Sequence, residues 1–293
     1  MNCTLRNKRM PQGRRTETGS ISLTRPTQTA SRNILRRHLG IVFVCLSISA
    51  CTHTSTASLE QQRVMHLARE VERQGDAVSA RALFERAAVL SDEAPATMLE
   101  LGRVRLTTGD LKGAESAFQS VLVHQPDSKP ALLGLGTVQL YAGDFKRAEG
   151  TLAMAAHELR SVVAYNRWGG AAAMAGRSER AVDAFTAALA LEPDNLELRS
   201  NLALALVLTG QLKAALDQIA RVVAAPEAGA KHLRRQALIL ILAGDARGAA
   251  VSLGDMPVFK RRELIAQARA IKALQTSQRR AVAIGLVTPG EGE

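Results

Sequence analysis

The chain has 293 residues, 46% hydrophobic but only 3% aromatic, so its core must be built of alanine, leucine and valine, as close-packed helices allow. A net charge of +11 taken whole would suggest a nucleic-acid partner. The first fifty residues, however, hold nine Lys/Arg against one acid, Glu17, and the remainder carries 29 basic and 26 acidic residues, a net of +3 that argues against nucleic acid.

Met1–Asn33 is polar, basic and rich in Ser, Thr and Arg, without periodicity, and is not expected to fold alone. Arg36 and Arg37 then precede an apolar run, Leu39–Ile48, of signal-peptide length and too short to span a bilayer comfortably. The run ends Ile48-Ser49-Ala50-Cys51, which resembles the lipobox of bacterial lipoproteins; the alternative is a chance cysteine after an ordinary signal peptide. The resemblance implies cleavage between Ala50 and Cys51 and lipidation of Cys51. Residues 1–50 are therefore expected to be a leader, with translation starting near Leu35 and 1–34 an excess of the assigned reading frame. Cys3 and Cys45 precede the cut, so the mature chain has no disulfide framework and no thiolate metal site. Residues 51–59 form the lipidated cysteine and a polar tether, whose seven-residue stretch THTSTAS reaches at most about 25 Å. Thr52 stands where an aspartate would imply retention in the inner membrane. By that family's rule the anchor belongs in the outer membrane, on its periplasmic face.

The next two hundred or so residues repeat themselves. In Val162–Asn195, numbered one to thirty-four, small residues fall at eight (Gly169) and twenty (Ala181), glycine at fifteen (Gly176), phenylalanine at twenty-four (Phe185) and proline at thirty-two (Pro193). The turn glycines recur as Gly75, Gly109, Gly143, Gly176, Gly210 and Gly244, at spacings of 34, 34, 33, 34 and 34 residues. Position twenty is alanine in all six units: Ala80, Ala114, Ala148, Ala181, Ala215 and Ala249. This pattern resembles the tetratricopeptide (TPR) repeat, a helix–turn–helix unit of that period. The expected fold is thus all-α, a TPR solenoid of about six repeats over residues 60–276, with a capping helix at Glu263–Leu274 and a flexible tail at 277–293. Close approach of the paired helices is expected at positions eight and twenty. Asp76, Asp110, Asp144 and Asp245 follow turn glycines and are placed to cap second helices.

Nothing in the repeats makes a catalytic constellation. His66, His124, His157 and His232 lie in four different units, and there is no HExxH, P-loop or GxSxG. No enzyme activity, metal, cofactor or small-molecule substrate is expected. The surface lined by the first helices is the candidate site, a partner groove that includes Leu99, Arg103, Leu133, Leu140, Tyr141, Asn166 and Met174, with Leu204 and Leu208 further along. Its apolar middle suits an amphipathic helix or apolar strand of a protein partner. Chaperone-binding TPR domains carry a lysine–asparagine–arginine clamp for a C-terminal carboxylate. This chain is similar at Asn201, Lys231 and Arg235, but Asn166 and Gly170 stand where the first lysine and asparagine belong.

From YNRWGGAAAMAGRSERAVDAFTAALALEPDN through NLALALVLTGQLKAALDQI and APEAGAKHLRRQALILILAGD to a shortened last unit, the chain resembles the TadD lipoproteins of tight-adherence (Flp) pilus assembly. That resemblance implies an outer-membrane scaffold that assists the pilus secretin by binding. The rival expectation is a generic periplasmic adaptor for cell-envelope enzymes or outer-membrane protein assembly.

Overall fold

A computed structural model describes residues 58–254 and 256–286, and every regular element among them is an α-helix. The leader, Ala50, Cys51, most of the tether and residues 287–293 lie outside the described residues. Helix α1 covers 58–73. It is followed by α2 (Ala77–Leu90), α3 (Pro95–Thr107), α4 (Leu111–His124), α5 (Lys129–Tyr141), α6 (Phe145–Leu159) and α7 (Val162–Met174). Then come α8 (Ser178–Leu191), α9 (Leu196–Leu208), α10 (Leu212–Val223), α11 (Ala230–Ala243), α12 (Ala246–Ser252), α13 (Val258–Ala273) and α14 (Ser277–Ile284). Odd helices through α11 are the first helices of six repeats and even ones through α12 the second. From α2 to α12 each helix packs on the next, and consecutive first helices from α3 to α11 touch. This is the TPR solenoid the period implies.

The turns are set by glycine. All six turn glycines have positive φ, from +76° at Gly210 to +89° at Gly75, a region in which a Cβ is strained. The aspartates that follow four of them accept backbone hydrogen bonds from residues three places on, Ser79, Gly113, Arg147 and Gly248, and so start α2, α4, α6 and α12. The third repeat lacks its terminal proline, and α6 instead ends on Arg160 at φ +46°. The degenerate sixth unit has a second helix of only seven residues.

Close approach within a repeat occurs at position eight, but the facing group is the residue at twenty-four. A Cβ on Gly102 would lie 2.7 Å from the Phe118 ring, on Gly136 2.6 Å from Leu152 Cγ, and on Gly169 2.7 Å from the Phe185 ring. Phe118 also fills the space under Gly134 of the next repeat, where a Cβ would lie 2.3 Å from the ring. One aromatic therefore locks two repeats, and the glycines are the room it needs. The alanines at position twenty are fully buried from Ala80 to Ala215. Position eleven of the second unit is Arg105. Its guanidinium donates to Gly113 O (3.2 Å) and Glu85 (3.2 Å), bridging α3 to α4 and α2.

Two expectations at the C-terminus are corrected. The capping helix starts earlier than expected, at Val258, although the face it buries (Leu264, Ala268, Ile271) is the one expected. The segment from Ser277 is helical as far as Ile284, where a flexible tail was expected. Thr276 caps α14 by accepting from Arg279 N at 3.3 Å, and Gly285 ends it at φ +73°. Gly285, which reads as a breaker in sequence, is a helix terminator of the kind glycine commonly provides.

Candidate partner groove

The first-helix face carries the candidate site, and position along the helix determines what each residue can do there. In the second and third repeats Leu99, Leu133 and Tyr141 are half-buried, whereas Leu140 is buried at 4% exposure. Arg103 reaches α1, donating to Glu72 at 2.5 and 2.7 Å, and to Glu100 on its own helix at 3.1 Å. The Glu72 contact leads the causes that raise the Arg103 pKa, so this guanidinium is fixed as a cation. Arg69 adds a pair to Glu100 at 3.1 Å. The groove begins as a paired ionic lattice.

In the fourth and fifth repeats the face changes character. Met174, Leu204 and Leu208 are buried, with Leu204 at 1% exposure. Leu140 belongs to the same cluster, and Leu133, Tyr141 and Val207 pack against it. Asn201 Nδ2 donates to Asn166 Oδ1 at 3.2 Å, tying α9 to α7. The cover is α14, which rests on α7, α9 and α13 and contributes Ala281 to that cluster, joined by Leu286 just beyond its end. Sequence reading missed this element. The available signal was the spacing of Ala281, Ile284 and Leu286 after a threonine cap.

The partial carboxylate clamp is engaged within the chain. Glu197 accepts from Lys231 Nζ at 2.5 Å and Arg235 Nη1 at 2.7 Å, with His232 Nε2 3.0 Å away. Burial alone would raise the Glu197 pKa. The Lys231 hydrogen bond and the Arg235 charge outweigh it and bring the pKa to about 2. The side chain of Glu197 thus sits where a ligand carboxylate would have to go, and the clamp is filled by its own chain. Asn201 is turned to Asn166 and away from this group.

Trp168 is buried as a core residue, with His157 tilted over it at 5.1 Å and Tyr165 at 6.3 Å between ring centroids. Glu149, at 3% exposure, is neutralised by Arg180 (2.7 Å) and Arg177 (3.6 Å) of the following repeat. Among the described residues there is no group of three or more His, Cys, Asp or Glu that could hold a metal ion. Among them, too, no helix is long and apolar enough to cross a membrane.

A helical-repeat scaffold with a first-helix groove is the class this fold and site define. The comparisons with known proteins agree. Residues 64–167 match the model of the middle TPR-like domain of cilia and flagella-associated protein 70, and residues 172–235 match a tetratricopeptide-repeat model. The chain is a TPR-repeat protein. Among solved structures, PilF of Pseudomonas aeruginosa is similar over 73% of this chain and 98% of its own, at 14% identity and a TM-score of 0.59. MamA from Desulfovibrio magneticus RS-1 is similar over 56% and 93%, at 21% identity and 0.53. YrrB, described as a TPR protein with an unusual peptide-binding site, is similar over 65% and 98%, at 18% identity and 0.51. At these identities the likeness shows the fold alone. No curated protein matches the chain.

Proposed function

We propose that this chain is a periplasmic TPR lipoprotein, anchored to the outer membrane through Cys51, that binds a protein partner during assembly of a tight-adherence (Flp) pilus apparatus, the partner being its secretin. The observation that carries the binding role is the first-helix face of α5, α7 and α9. Its apolar groups Leu140, Met174, Leu204 and Leu208 belong to one buried cluster, on which α14 already rests and against which the partly exposed Leu133, Tyr141 and Val207 pack. Such a surface takes the apolar face of an amphipathic helix. The pilus assignment rests on the sequence resemblance to the TadD lipoproteins, and the anchor on Ile48-Ser49-Ala50-Cys51. The likeness to PilF supports the fold and adds nothing to the choice of partner. The matching family models describe TPR repeats, which the second reading, a generic periplasmic adaptor, would carry equally.

Tyr141 is the group to remove, because it is partly exposed at the groove whereas Leu140 beside it is buried. Tyr141→Ala should lower recovery of the secretin with this protein from detergent extracts while helicity stays at the parent's level. Equal recovery with parent and variant removes Tyr141 and its groove from the mechanism. Recovery with neither moves the assignment to the generic adaptor.

A further inference from the structure

Helix α14 follows the sixth repeat and its cap, yet it rests on the fourth and fifth repeats. It packs on α7 and α9, the first helices that line the groove. Its N-terminal turn lies against the turn after α7, where a Cβ on Gly176 would be 3.4 Å from Gln278 Cβ. Ala281 is fully buried and Leu286 is 7% exposed, both in the cluster that holds Met174 and Leu204. The position of α14 is that of a ligand.

It is also held as a ligand would be. Among the described residues no hydrogen bond or ion pair joins α14 to α7 or α9. Its polar contacts run to its own connection and to the cap, from Arg280 Nε to Leu274 O (2.7 Å) and from Gln267 Nε2 to Ala283 O (3.3 Å). The attachment to the groove is apolar. The helix has eight residues, well short of the roughly 12–15 at which an isolated helix becomes even marginal in water, so α14 persists only while docked. Three residues, Leu274–Thr276, join it to α13.

We propose that the face of α7 and α9 is a docking site for a short amphipathic helix of a partner protein, and that α14 occupies it in cis until such a helix displaces it. The partner helix is defined by what α14 presents. It has an alanine-sized residue where Ala281 is fully enclosed, a branched aliphatic three residues on, as at Ile284, and one more aliphatic at the place of Leu286. A larger residue at the Ala281 position meets the buried faces of α7 and α9, and this sets specificity by exclusion. Cis occupancy lowers the apparent affinity for any partner by the fraction of molecules in which the groove is open. The inference rests on the groove being the binding face. It does not depend on the partner being a pilus component.

The test therefore uses no pilus component. The probe is a fluorescein-labelled peptide of residues 275–286, QTSQRRAVAIGL, titrated into the full-length protein and into the full-length variant Ala281→Glu/Ile284→Glu, whose own helix cannot dock. The variant should keep the parent's thermal transition and bind the peptide at least about tenfold more tightly than the parent does. A peptide in which the alanine at 281 is replaced by arginine should bind neither. In the parent, the amides of α14 should exchange hydrogen at least about tenfold faster than those of α7, because α14 opens on its own. A folded variant that binds no peptide would overturn the proposal. So would a variant that loses the thermal transition, or an α14 that exchanges only with α7, since either makes α14 part of the solenoid core. The secretin recovery described above fails or succeeds independently of these outcomes.

Discussion

The first two repeats and the fourth and fifth present the same face of the same fold and finish it in opposite ways. In the first two repeats the groove is lined by charges that satisfy one another, Arg103 with Glu72 and Glu100, and Arg69 with Glu100. Such a surface is content in water and needs no cover. In the fourth and fifth repeats the same face carries Gly170, Ala173, Met174, Leu204 and Leu208, and α14 packs on those helices. A contiguous apolar patch of that kind marks a binding surface or an aggregation hazard. A repeat backbone specifies the spacing of a groove without specifying its chemistry, and each half has solved its own exposure.

Substitutions in each half test how separate the two are. The largest effect is expected at Phe118, the ring locked between Gly102 and Gly134. Phe118→Ala should cost about 3–5 kcal/mol. Because repeats couple to their neighbours, amides of α3–α5 should lose exchange protection while those of α9–α11 keep theirs. Uniform loss across both halves would mean that the solenoid unfolds as one unit and the division is only chemical.

Gly169→Leu comes next, in the other half. A Cβ there already falls 2.7 Å from Phe185, so overpacking should cost roughly 2 kcal/mol or more. Because α7 is also the seat of α14, the labelled 275–286 peptide should lose its site as well. A urea midpoint equal to the parent's would contradict the packing register assigned to the fourth repeat.

A smaller effect is expected at Glu197, which joins α9 to α11 through Lys231 and Arg235. Its folded pKa of about 2 lies below its ordinary value of 4.5. The stabilisation is therefore fully present above that ordinary value and is lost as pH falls through about 2. Solvent screening of this half-exposed carboxylate limits it to roughly 1 kcal/mol. Glu197→Gln should lower the urea midpoint slightly at about pH 6 and leave the variant with a shallower loss than the parent as pH falls to about 3. Parallel curves for the two proteins would show that the cluster contributes nothing to holding the fifth and sixth repeats together.

The repeats were legible because each is written in backbone constraints. Positive φ demands glycine at Gly75 through Gly244, and the helix starts at Pro95, Lys129, Val162, Leu196 and Ala230 recur at the repeat period, 34, 33, 34 and 34 residues apart. The groove was legible only as a face. Arg103, Lys231 and Arg235 lie on it as expected, but each is paired within the chain. Register could have exposed the second case, since Glu197 and Lys231 share position two in adjacent units and such positions stack. Gly134 was invisible as a contact because what excludes a side chain there is an aromatic of the preceding repeat. Helix α14 was invisible for a deeper reason. It is short, belongs to no register, and owes its burial to helices about seventy to a hundred and twenty residues earlier in the chain. Its stability is a tertiary property that local propensity does not encode.

The central claim is that the first-helix face, and not the outer one, receives the partner. The most direct measurement places a photo-crosslinking benzoyl-phenylalanine in intact cells, at Tyr141 in the groove or at Val89 on α2, which is 81% exposed. Irradiation should trap the secretin from position 141 and not from position 89. Trapping from 89 with none from 141 would contradict the account and assign binding to the outer face of the second helices.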